Sequence, residues 1–126
     1  MDLFLTAESK ALAGFDIKEL YNLTGGDPLV IRRLLEGLVE GINEDLTRLA
    51  HVRACGANSG VMELAHRVKG AARLIKAHLL TECCEQLQLA YRLSSTPTNL
   101  NLPLSRMENS MVQLESNFLR LIKLGE

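Results

Sequence analysis

Near the C-terminus, Leu104, Met107, Met111, Leu114, Phe118 and Leu121 recur at alternating steps of three and four residues. That is a heptad seam, and it restricts the chain more than any other feature. A stretch of this period forms a helix that packs lengthwise against other helices. Ile31, Leu34, Leu35, Leu38, Ile42, Leu46 and Leu49 also fall at helical spacing, as do Leu80, Cys83, Cys84, Leu87 and Tyr91. No run alternates apolar and polar residues with period two, so no sheet is expected.

Local signals divide this helical chain. Asp16, with Glu19 three residues on, has capping-box character and starts a short helix through Leu23, stopped by Thr24-Gly25-Gly26. Asp27-Pro28 supplies an N-cap and a first-turn proline for a long helix to about Arg53. The segment from Cys55 to Gly60 breaks the pattern before a helix over about residues 60–76, and a further helix is read over 78–93. Residues Ser94 to Asn99 form a polar loop, after which the seam-bearing helix closes the chain. Residues 1–14 show no sustained period and are read as a linker or loosely docked segment, leaving 15–126 as the domain. The expected fold is all-α, an antiparallel up-down-up-down four-helix bundle with a short additional N-terminal helix. A chain of 126 residues holds one such domain.

Composition narrows the function classes. The chain is 47% hydrophobic and 23% charged with a net charge of −1, which lacks the basic footprint of a nucleic-acid binder. No apolar run reaches the roughly 18 residues of a membrane span. No signal-peptide pattern opens the chain, so a cytoplasmic location without membrane contact by this segment is expected. Three cysteines, two of them adjacent, suit neither a disulfide framework nor a zinc site; Cys83 and Cys84 are read as reduced core thiols. Met107 and Met111 fit the seam and are core as well.

One histidine is placed for chemistry. On a wheel of residues 60–76, Val61, Leu64, Val68, Ala71, Ala72 and Ile75 share the face a bundle buries. His66 points the opposite way, beside Met62, Glu63, Lys69, Gly70 and Arg73. A glycine inside a helix costs about 1 kcal/mol relative to alanine, and close approach of another molecule would account for Gly70. Met62, with Ile17 and Leu20 of the short helix, is a candidate apolar docking patch. His51 and His78 lie near helix ends and carry no expected role.

The run Ala65-His66-Arg67-Val68-Lys69-Gly70-Ala71, followed by a cysteine and Leu87-Gln88 on the next helix, resembles the histidine phosphotransfer (HPt) domain. The upstream run from Phe15-Asp16-Ile17 through Thr24-Gly25-Gly26-Asp27-Pro28 resembles the opening of that fold, so the likeness covers roughly residues 15–124. The chain departs from the pattern at Lys76-Ala77, where many members have glycine-alanine or glycine-asparagine, and at Gln88, where many have glutamate.

The resemblance implies a phosphorelay intermediate. His66 would accept a phosphoryl group from a receiver-domain aspartate through Nε2 and pass it to another receiver or response regulator. Gln88 would accept a hydrogen bond from His66 Nδ1, and Lys69 would face the phosphoryl oxygens. Arg73 would assist, with Arg92 a more distant candidate. Gly70, Met62, Arg67 and Arg73 would meet the partner. No phosphate loop or metal-ligand cluster is evident in the sequence, so no cofactor of its own is expected, and magnesium would arrive with the receiver. The domain would catalyse nothing alone. It would be monomeric in isolation, either free-standing or the cytoplasmic C-terminal domain of a hybrid sensor kinase. Two other classes share these features: a receiver-binding module that passes no phosphate, and the dimerisation domain of a histidine kinase, which assembles its bundle from two chains.

Overall fold

The computed structural model describes residues 14–55 and 60–125, with the side chain of residue 55 excepted. Among these residues five helices follow in order: α1 (Ile17–Thr24), α2 (Pro28–Cys55), α3 (Val61–Leu74), α4 (His78–Leu93) and α5 (Pro97–Leu124). No strand occurs among the described residues. Helices α2 to α5 form the antiparallel bundle that the hydrophobic period predicts. Contacts run α2 to α5, α5 to α4 and α4 to α3, while α2 and α3 touch more sparingly and α1 leans on α2. Except for Gly14, the segment read as a linker lies outside the described residues.

Capping residues set the helix starts. Asp16 accepts hydrogen bonds from the backbone N–H groups of Lys18 (2.9 Å) and Glu19 (3.4 Å), satisfying donors that a helix start leaves open. The reciprocal half of the expected capping box is not made. The Asp16 N–H donates instead to the carbonyl of Ile75 (3.1 Å), and Glu19 pairs with Lys76 Nζ at 3.4 Å. Helix α1 is thereby fastened to the end of α3. Gly25 closes α1 with φ +69°, a conformation glycine adopts without steric cost.

Lys76 takes the same left-handed region, φ +55°, in the turn between α3 and α4. A non-glycine residue pays about 1–2 kcal/mol there. Lys76 therefore holds this turn at some conformational cost.

Helix α5 begins at Pro97, earlier than the sequence suggested. Thr96 accepts from the Asn99 N–H (3.3 Å) and Pro97 stands in the first turn, so the tail of the polar run is itself a helix start. Asn99 Nδ2 donates back to the carbonyls of Ala90 (2.8 Å) and Ser94 (2.7 Å), closing the short connection.

The seam residues Leu104, Met107, Met111, Leu114, Phe118 and Leu121 are all buried. Phe118 meets Phe15 edge-on with ring centroids 5.1 Å apart, which ties the N-terminal turn to the core. Arg53 fastens α2 to α5 through Asn101 (3.1 Å), Ser105 (3.1 Å) and Glu108 (3.4 Å). Two expectations fail at the edges of the core. Ala71 is exposed, because the helix opposite it carries Gly37 and Gly41, and Tyr91 is only half-buried. Ile17 and Leu20 are 2% and 0% exposed, so they are core residues and form no docking patch with Met62.

Candidate functional site

Helix α3 is amphipathic for its whole length, and burial of its inner face fixes what its outer face presents. Val61, Leu64, Ala65, Val68 and Ala72 are buried, and Ile75 follows them inward. Rotation by that face leaves His66 and Gly70 exposed one turn apart and Lys69 half-buried at the α4 side. A Cβ built on Gly70 meets nothing within 4 Å, so no neighbouring part of the chain requires glycine there. Met62 is half-buried one turn before His66.

Lys69 and Gln88 are brought together. Lys69 Nζ donates to Gln88 Oε1 at 3.0 Å, across the α3–α4 contact. Gln88 is only 8% exposed, so its carbonyl must find a donor inside the protein, and the lysine supplies it. The sequence reading gave that oxygen to His66 Nδ1. The rotation of the two helices gives it to Lys69, because Gln88 lies inward on α4 while His66 stands on the outermost stripe of α3. The ammonium is thus held against α4, on the residue that lies about one turn after His66 on α3.

The two arginines diverge from the histidine. Arg67 turns toward α2, where Nη2 lies 3.1 Å from Asp45 Oδ1 and 3.8 Å from Glu44 Oε2. Arg73 turns toward α4 and pairs with Glu85 at 3.7 Å. Exposed pairs of the latter kind contribute little, about 0–1 kcal/mol, so Arg73 is easily released to a partner. Arg67 is shared between these two carboxylates of α2. Arg92 is exposed near the end of α4, beyond Gln88. Asp45 was not singled out from the sequence. Its position between Ile42 and Leu49 on the inward stripe of α2 is the signal that marks it.

Cys84 lies buried beneath the site. Burial pushes its thiol up to about 12, with Lys69 pulling weakly the other way, so it stays protonated and is no nucleophile. Cys83 is raised in the same direction, again chiefly by burial. Among the described residues no group of three or more His, Cys, Asp or Glu side chains gathers to hold a metal ion, and no helix is long and apolar enough to cross a membrane. The arrangement offers one solvent-facing nucleophile, one positioned cation and an open helix surface between them.

The family model described as Hpt domain matches residues 33–117, a span containing His66, Lys69, Gly70 and Gln88. Searches of curated proteins and of solved structures each found no match. The matched span is about two thirds of the chain and includes all but the first turn or so of the bundle at one end and the last turns of α5 at the other. With its single-chain helical bundle and outward histidine, the chain belongs to the Hpt domain family, whose role is phosphotransfer in two-component signalling and whose partners are receiver domains.

Proposed function

We propose that His66 carries a phosphoryl group between two receiver domains. The observation that supports this most directly is the pairing of an exposed mid-helix imidazole with an ammonium anchored one turn away. In the forward step the Nε2 lone pair of His66 forms a P–N bond as the P–O bond to the receiver's aspartate breaks. The carboxylate leaves with that electron pair, and Nδ1 keeps its proton. The reverse step on a second receiver delivers the group onward. Phosphoryl transfer needs alignment and charge matching more than bond-making by the protein, and Lys69 supplies a cation for the equatorial oxygens. Glu63 is the acidic residue on the His66 stripe, too few oxygens for a magnesium site. Magnesium and the acid–base groups would come with the receiver. The bundle is complete within one chain, which favours a monomer over the two-chain dimerisation domain.

The decisive experiment is labelling. With magnesium and radiolabelled ATP alone, the purified chain should remain unlabelled. Addition of a phosphorylated receiver should transfer label to the chain as acid-labile, base-stable phosphohistidine. Labelling from ATP without a partner would overturn the reading in favour of a kinase. Failure of every phosphorylated receiver in a broad panel would leave a binding module.

Lys69 and Gln88 should act as one unit. Lys69→Ala should slow transfer by about tenfold or more, since a positioned cation stabilises developing charge. Gln88→Ala should slow it less, because the lysine remains but loses its anchor. The Lys69→Ala/Gln88→Ala double variant should match Lys69→Ala alone, which a double-mutant cycle on single-turnover rates reads directly. Additive losses would mean that Gln88 acts on His66 by a separate route.

A further inference from the structure

We infer that the slot between α2 and α3 binds a small amphiphilic cation, its aromatic or short alkyl body among the core side chains and its ammonium against Asp45. Helices α2 and α3 meet sparingly because Gly37 and Gly41, with no atom within 4 Å of an added Cβ, stand where larger side chains would close the contact. The slot has a volume of about 240 Å³ and reaches inward to Met111, Leu114 and Phe118, with Ala71 and the two glycines at its open side. An apolar cavity of about 150 Å³ is enough to admit benzene.

Asp45 is the one charged residue among the described residues lining this slot, and it is only 8% exposed. Its Oδ1 lies 3.1 Å from Arg67 Nη2 yet accepts no well-aligned hydrogen bond. Burial raises the carboxyl above its ordinary range more than Arg67 lowers it. Arg67 has a second carboxylate within reach, Glu44 at 3.8 Å, so it can yield Asp45 to an incoming donor without losing its counter-charge. An apolar recess with a single polar group at its edge has the make-up of a small-molecule site. Once Arg67 turns to Glu44, the carboxylate of Asp45 at the slot selects a cation over an anion. This site is independent of the transfer reading, because its α3 residues, Val68, Ala71 and Ala72, lie away from the exposed His66 stripe.

The test uses phenethylamine and its neutral analogue 2-phenylethanol, titrated into the full chain and followed by amide NMR. Saturable shifts at Gly37, Gly41, Ala71 and Ala72 are expected, with the amine binding about tenfold more tightly than the alcohol, a gap of about 1.4 kcal/mol. Asp45→Asn should erase that gap. Gly41→Leu, or Gly37→Leu if the first fails to fold, should abolish both titrations while circular dichroism keeps its helical signal. His66→Gln should bind as the unaltered chain does. Shifts that do not saturate, that map elsewhere, that persist in a folded slot-filled variant, or that are equal for amine and alcohol would each overturn the site.

Discussion

His66→Gln should abolish phosphoryl labelling of the chain and leave its fold intact. The imidazole faces solvent on α3 and takes no part in the core, so its replacement by glutamine removes no packing. Surface substitutions of this kind change stability by about 0.5 kcal/mol or less. Glutamine keeps the helix and offers a side chain of similar reach, but it has no nitrogen lone pair able to attack phosphorus. Helical signal and melting temperature should therefore match those of the unaltered chain, while label from a phosphorylated receiver falls to background. His51 and His78 provide the internal control. Both are exposed, yet neither is followed one turn on by the lysine and glycine that follow His66. Label that survived in His66→Gln at either position would sink the assignment.

Much of the fold was legible because it rests on period alone. The α5 seam, the inward stripe of α4 from Leu80 to Leu87 and the outward direction of His66 all follow from where apolar residues recur, and burial agrees with each. Expectations fell short where the outcome depended on the neighbouring helix. Ala71 reads as core on its own helix and is exposed because Gly37 and Gly41 stand across from it. Ile17 and Leu20 read as available for docking, yet α1 is fastened to α3 by the Asp16–Ile75 bond and both side chains are swallowed. Gln88 was placed at the site by its spacing, but its partner depended on the rotation of α4 against α3, which one sequence does not carry. The same holds for Arg67 and Arg73, whose carboxylate partners lie on two different helices. One helix start was missed as well: Thr96-Pro97 opened α5 inside what looked like loop, because a capping threonine and a loop threonine are the same residue.

Gly70→Gln separates the helix from the site most sharply. Glycine inside α3 costs about 1 kcal/mol of helix propensity, so glutamine should raise the stability of the bundle by up to that amount. The substitution meets no steric resistance within the chain, since nothing lies within 4 Å of the added Cβ. That same open space lies one turn from His66 on the exposed surface of α3, where an approaching receiver must bring its aspartyl phosphate in line with the ring. A displacement of about 1 Å in such an alignment costs on the order of a hundredfold in rate. Transfer should thus fall by at least about tenfold in a variant that melts higher than the original, and a single-turnover assay beside a thermal melt reads both quantities. Gly70→Ala, with one methyl group, should gain most of the stability and lose much less of the rate. If Gly70→Gln transfers at the original rate, the partner does not approach along this part of α3, and the glycine has no role in transfer.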